Sequence, residues 1–148
     1  MIPESFDKII NDVYRLNDSS SPDNLNNLLK KIAIASPRKQ SRICLHKEDS
    51  DKLQLMYICH LKNCQVRIHK HLDFPEWIIF LKGKSQIIYF NNEGEELKRF
   101  MIDAKESNSP IIRLIPKNQY HTLKFDEDSY FLEVKQGPFK KDSTIYYK

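Results

Sequence analysis

No stretch of the chain approaches the roughly 20 consecutive apolar residues that span a bilayer, so the reading has no membrane partner. The N-terminus, MIPESFDKII, carries acidic residues and no apolar core, so it does not read as a secretory signal. Cysteine is sparse and odd in number: Cys44, Cys59 and Cys64, without regular spacing. That pattern excludes a disulfide framework and fits a reduced, cytoplasmic protein with free thiols. Charge of one sign is nowhere concentrated. The net charge is +4 and the pI near 8.9, with basic residues interspersed among acidic ones except at Lys30-Lys31 and Arg38-Lys39. A nucleic-acid protein gathers its basic residues on one face, and no such stripe exists, so no nucleic-acid partner is expected. An anionic small-molecule ligand stays open. Internal repeats are absent. What remains is a chain of 148 residues, 40% hydrophobic and 30% charged, the composition and size of one soluble globular domain with a single core.

Two segments at the start show helical spacing. In SFDKIINDVYRL (5–16), Phe6, Ile9, Ile10, Val13 and Leu16 recur as on one helix face. After the polar loop NDSSSPDN, Ser21 before Pro22 reads as an N-cap and first-turn proline. Leu25, Leu28, Leu29 and Ile32 continue a second amphipathic helix, which should end near Ser36 because Pro37 disfavours helical geometry in the residue before it. From about residue 40, short β-rich runs alternate with turn signals: RICLH, KLQLMYICHL, QVRIHKH, EWIIFLK, SQIIYFN, ELKRFMI, PIIRLIP, HTLKF and SYFLEVKQ, with a hairpin turn at 91–94. Strands without interleaved helices exclude a parallel α/β sheet. They predict an all-β sandwich or small barrel over 37–148, one compact unit, with a helical N-terminal extension over 1–36.

The run HKHLDFPEWIIFLKG (69–83) carries the chemistry. On a strand, residues two apart share a face. His69 and His71 therefore point together, with Arg67 if the strand is regular. Glu76, Ile78 and Phe80 share one face of the next strand, and Trp77, Ile79 and Leu81 the other. A carboxylate opening an apolar face is costly to bury alone; two imidazoles and a metal ion would satisfy it. Surface histidines and a strand-end glutamate are the bland alternative, and a lone His-x-His favours it. It weakens because IPKNQYHTLKF (115–125) delivers His121 to a strand start after a Pro116-Lys117-Asn118 turn.

His69-x-His71, four residues, Glu76, six residues and Gly83 resemble the first cupin motif; Pro116-x-Asn118, two residues and His121 resemble the second. Asn63 and Asn118 stand where glycine is usual, and asparagine tolerates left-handed geometry best after glycine. Phe125 replaces the usual asparagine after the last histidine. A closer resemblance joins Ala35-Ser36-Pro37-Arg38, Cys44-Leu45-His46, Asp51, Gln54, Val66 to His71, Ile115-Pro116, His121-Thr122-Leu123 and Phe131 to Phe139 to the WbuC-type cupin-fold metalloproteins of bacterial O-antigen and surface-polysaccharide gene clusters. The resemblance implies a double-stranded β-helix (jelly-roll) barrel, metal ligands His69, His71, Glu76 and His121, and a homodimer. Three imidazoles and a carboxylate suit one divalent transition metal ion: Fe, Mn, Ni, Co or Zn.

Other residues carry paired readings. Arg67 could bind a substrate anion through its planar fork or form a partly buried ion pair. Arg38 and Arg42 flank the helix–barrel junction, and Arg42 reads as solvated. His46 could touch a ligand, though a lone histidine is more often structural. Glu133 and Lys135, two apart, would line the pocket or, as the slightly favoured reading, form an exposed pair on the outer sheet. His60 and the cysteines read as structural, and the WIIFL run as lying between two layers or in a dimer interface. Three function classes fit: a metal-dependent enzyme acting on a small anionic or sugar-type substrate, an isomerase, epimerase or Fe(II) dioxygenase among them; a metal-dependent binding protein for a small molecule or saccharide; and a barrel merely tied by its metal.

Overall fold

The computed structural model describes residues 2–17, 23–105 and 108–148. The helix expected over residues 5–16 is instead a hairpin, with β1 (Phe6–Ile10) and β2 (Val13–Leu16) turning at Asn11, whose φ is 31. The burial pattern shows why. Phe6 and Tyr14 are buried, whereas Ile9 and Ile10 are exposed, so the apparent helical stripe never faces the core as a unit. The β-branched Ile9, Ile10 and Val13 suit a strand, and β2 pairs in parallel with β3 (Gln40–Cys44). Sheet-edge hydrogen bonding overrides a weak local helix preference.

The second helix forms as read. α1 spans Leu25–Ala35, buries Leu29 and Ala33, and ends where the Ser36 N–H donates to the Ile32 carbonyl at 3.0 Å. Ser36 is extended (φ −81, ψ 128), the geometry that Pro37 imposes on its predecessor. The N-cap of α1 is Asn24 and not the expected Ser21, which lies outside the described residues.

The remaining strands are β4 (Leu53–His60), β5 (His69–His71), β6 (Glu76–Lys82), β7 (Lys84–Phe90), β8 (Glu96–Asp103), β9 (Ile111–Ile115), β10 (Tyr120–Phe125), β11 (Ser129–Gln136) and β12 (Thr144–Tyr146). They build a seven-stranded sheet, β1-β2-β3-β4-β11-β6-β9, and a five-stranded sheet, β12-β5-β10-β7-β8. This is a jelly-roll arrangement of the cupin kind, and the seven-stranded sheet runs through residue 36 into the N-terminal hairpin. The expected QVRIHKH strand is shorter than read, with only His69–His71 in a ladder, and β12 is an addition.

Between the sheets lies an apolar core that includes Ile58, Ile78, Phe80, Ile87, Leu123, Phe125 and Phe131. A second cluster, with Leu29, Ala33, Ile43, Cys59 and Tyr130, seats α1 on the outside of the larger sheet. Alternation along β6 is strict: Ile78 and Phe80 are buried, while Trp77 and Leu81 on the opposite face are 45% and 41% exposed. All three cysteines are free and buried, and burial pushes each thiol up, Cys59 to about 12. No helix among the described residues is long and apolar enough to cross a membrane.

Four turns show how local chemistry fixes the frame. Asn63 and Asn118 have φ of 62 and 61, the left-handed geometry for which asparagine is the best substitute for glycine. Gly83, between β6 and β7, has φ +94, and a Cβ there would stand 2.8 Å from the Ser129 Cα, so only glycine fits. At the 91–94 turn, the Asn91 side-chain oxygen accepts the N–H groups of Glu93 and Glu95 at 3.0 and 2.8 Å.

His60 sits in the core at the end of β4, its ring edge-on to Phe125 and Phe131 at 4.7 and 5.3 Å. Burial, with Arg42 and Arg38 adding to it, pushes its pKa down from 6.5 to about 3. The unfolded chain therefore binds a proton on His60 at a pH where the folded chain does not, and stability is lost as pH falls from about 6.5 toward about 3. His60→Leu should flatten the fall in urea midpoint between pH 7 and pH 5 in metal-free protein. An unchanged slope would count against His60 as its source.

Candidate metal centre

His69 and His71 stand on β5 with their side chains on one face, and β5 is held from both sides. His121 of β10 pairs with His69, while Thr144 and Tyr146 of β12 pair with His71 and His69. The Asn118 N–H donates to the His71 carbonyl at 2.7 Å, so the turn that delivers His121 is hooked onto the strand that carries the other two histidines. The nearest ring nitrogens of His69, His71 and His121 all lie within 4.8 Å of one another. Ring centroids are 4.4 Å apart for His69 and His121, 5.1 Å for His69 and His71, and 5.7 Å for His71 and His121.

Each ring is oriented through its Nδ1. His69 meets the Arg67 carbonyl at 2.8 Å, His121 the Gln119 carbonyl at 2.9 Å, and His71 the Thr144 hydroxyl at 3.2 Å. A carbonyl only accepts, so His69 and His121 carry their protons on Nδ1 and present a bare Nε2 lone pair. The Nε2 atoms of His71 and His121 are buried without a hydrogen-bond partner. Outer contacts of this kind fix the tautomer and the orientation of metal-ligating histidines.

Glu76 opens β6 and is 3% exposed. Its Oε2 lies 2.9 Å from His71 Nε2, yet the two are not aligned as a hydrogen bond. Ligand atoms about 2.1 Å from one ion and at right angles to each other stand about 3 Å apart, so this separation is that of two neighbours in a coordination sphere. Burial opposes the Glu76 charge, but His71 and Lys135 outweigh it and hold the carboxyl below its usual range. Burial also pushes His69 down and His121 down to about 4, which keeps both rings neutral, as metal binding requires. The three imidazoles are thus spaced to share a divalent metal ion, and Glu76 stands against one of them, at His71.

The other candidates separate. Glu133 and Lys135 face inward, not outward: Glu133 is 8% exposed, and Lys135 Nζ lies 3.3 Å from Glu133 and 4.0 Å from Glu76. The slightly favoured reading of an exposed pair is overturned, because the register of β11 puts both on the face of the core residue Phe131, with Lys135 opposite Glu76. Arg42 is not a solvated linker residue either; its guanidinium lies 4.0 Å from Glu133. Arg67 precedes the first ladder residue of β5, so strand alternation does not fix its face. It is exposed, with its guanidinium 4.3 Å above the Tyr146 ring. Arg38 grips the buried Asp12 at the helix–hairpin junction. His46 Nδ1 pairs with the Leu55 main chain at 3.1 Å, an anchor between loop and β4. Neither Arg38 nor His46 joins the histidines.

Thr144 and Tyr146 were missed. Tyr146 flanks His69 with ring centroids 5.9 Å apart. The closing TIYY run has β-branched and aromatic character that reads as a strand, but nothing local assigns it to β5.

Residues 21–102 match the profile of a family described as a domain of unknown function, DUF6016. The chain belongs to that family. No curated protein matches the sequence. Among solved structures, this DUF6016 chain is similar to the capsular polysaccharide assembling protein CapF from Staphylococcus aureus, at 15% identity and a TM-score of 0.61, over 76% of this chain and 33% of that one. It is similar to oxalate decarboxylase from Lactobacillus farciminis, in a formate complex, at 22% identity and TM-score 0.51, over 65% and 27%. It is also similar to Bacillus subtilis oxalate decarboxylase, a protein with Mn(II) centres, at 17% identity and TM-score 0.52, over 65% and 24%. These likenesses show the cupin fold, and this chain spans a third or less of each of those longer proteins.

Thr144→Val removes the hydroxyl at His71 Nδ1 and leaves the shape. Metal affinity, measured by titration with Co(II), should fall by about 10-fold or more, and Thr144→Ser should restore most of it. Equal affinities in all three proteins would remove Thr144 from the site.

Proposed function

We propose that this chain is a WbuC-type, metal-dependent cupin enzyme. It holds one divalent transition metal ion through His69, His71, Glu76 and His121 and acts on a small anionic or sugar-type substrate. The observation that carries the proposal is the set of inward imidazole nitrogens, two of them buried without a partner, beside a carboxylate held ionised in the same space. A purely structural barrel has no need to bury four such groups facing one another, since each costs free energy unless it is satisfied.

When bound, the ion would supply Lewis-acid polarisation of a substrate oxygen. The chain's own residues do the rest. The Arg67 and Gln119 carbonyls hold the rings of His69 and His121, and Thr144 holds that of His71. Lys135 sits against both Glu76 and Glu133 and places positive charge where a substrate anion would approach. His71 and Lys135 line a small cleft with Gln54, Pro138 and Phe139.

A place in surface-polysaccharide biosynthesis is supported by the WbuC-type sequence resemblance and by the likeness to the capsular polysaccharide assembling protein. A homodimer is supported by the exposed outer face of β6, with Trp77 and Leu81. A cytoplasmic location is supported by the three free thiols. We further propose that 37–148 is the cupin unit and that 1–36 buttresses its larger sheet.

Elemental analysis of anaerobically purified protein should find one divalent ion per chain, and His121→Ala and Glu76→Ala should lose it while keeping the fold. Metal at about 100 times its Kd should stabilise the protein by about 2.7 kcal/mol, and a chelator should reverse the gain. No uptake of Fe, Mn, Ni, Co or Zn by the wild type would defeat the proposal.

A further inference from the structure

The inward face of β11 places charged groups beside the histidines. Glu133 and Lys135 share the face of the core residue Phe131, and Lys135 pairs in register with Glu76. From β3 across β11 to β6, the charges alternate. Arg42 lies 4.0 Å from Glu133, Glu133 lies 3.3 Å from Lys135, and Lys135 lies 4.0 Å from Glu76, which lies against His71. The Glu133 and Lys135 side chains are only 11% and 20% exposed. Buried ion pairs are favourable when they are close and their remaining donors and acceptors are used. Lys135 thus stands between the two carboxylates, closer to Glu133 than to Glu76.

The charge balance says what that space receives. Arg42 and Lys135 cancel Glu133 and Glu76. A divalent ion on three neutral imidazoles then leaves two positive charges in excess inside the barrel, which favours a ligand with an anionic oxygen. Glu133, as a carboxylate, only accepts hydrogen bonds. With Arg42 and Lys135 already supplying cations beside it, the complementary ligand group is a neutral O–H donor. We propose that Arg42, Glu133 and Lys135 form a substrate subsite next to the metal, and that the substrate is a small hydroxy acid. Its carboxylate faces the metal and Lys135, and its hydroxyl donates to Glu133. This inference rests on the metal-centre reading above.

Glycolate and acetate differ by one hydroxyl and serve as probes. Each is titrated calorimetrically into Co(II)-loaded wild type, Glu133→Gln and Lys135→Met, with metal content checked in every sample. Glycolate should bind wild type at least 10-fold more tightly than acetate. Glu133→Gln should reduce that ratio about 10-fold, and Lys135→Met should weaken both acids about 10-fold. Should either variant fold poorly, Glu133→Asp keeps the charge but shortens its reach, and the ratio should still fall. A ratio unchanged in the Glu133 variants, or affinities indifferent to Lys135→Met with only the melting temperature lowered, would mark a structural ion-pair ladder and overturn this inference alone. No Co(II) uptake by the wild type would overturn the metal reading and this inference with it.

Discussion

Three imidazoles and a carboxylate share one small interior space, and much of the barrel's mouth is arranged to make that tolerable. Nitrogen lone pairs that face one another repel, and a buried carboxylate favours protonation unless cations or donors surround it. The structure meets these demands from outside the cluster. Main-chain carbonyls of Arg67 and Gln119 and the Thr144 hydroxyl take the Nδ1 side of each ring. Lys135 approaches Glu76 from β11. The supporting contacts come from strands far apart in sequence, so the site exists only when both sheets are assembled.

The same dependence divides the interior. Along β10, His121 gives way to Leu123 and Phe125; along β6, Glu76 gives way to Ile78 and Phe80; along β11, Lys135 and Glu133 give way to Phe131. Each strand is polar at one end and apolar at the other, and the register aligns the ends: Glu76 opposite Lys135, His121 opposite His69. A slip of one residue in any of these ladders would turn the ligands to the outside and bury their neighbours. Apolar packing at the Phe80–Phe131 end therefore holds the metal-site geometry at the other.

This explains what could be read from the sequence. The grouping of His69, His71 and His121 was legible because strand alternation and turn chemistry are local, and the asparagines at positions 63 and 118 adopt the left-handed geometry that their resemblance to motif glycines implied. The first hairpin was not legible. Phe6, Ile9, Ile10, Val13 and Leu16 satisfy helical spacing by coincidence, and only pairing with β3 decides otherwise. Arg67 lies outside the ladder, which begins at His69, so alternation says nothing of its face. Glu133 and Lys135 show the harder case. Alternation puts them on one face without saying which, and the choice is made by long-range register, which sets Lys135 opposite Glu76 and Phe131 in the core.

β12 pairs with β5 at the sheet edge and brings Thr144 to His71 and Tyr146 to His69. An edge strand of three residues has little hydrophobic anchoring of its own: Ile145 and Tyr146 are 38% and 49% exposed. Its place is fixed mainly by main-chain bonds, from Leu72 to the Ser143 carbonyl and from Tyr147 to the Ile68 carbonyl, both 2.9 Å. Segments held in this way lie at the low end of local stability. The contact that orients His71 therefore rests on a less secure element than the carbonyls that orient His69 and His121. Of the three histidines, His71 is the one whose orientation depends on the C-terminal strand staying docked.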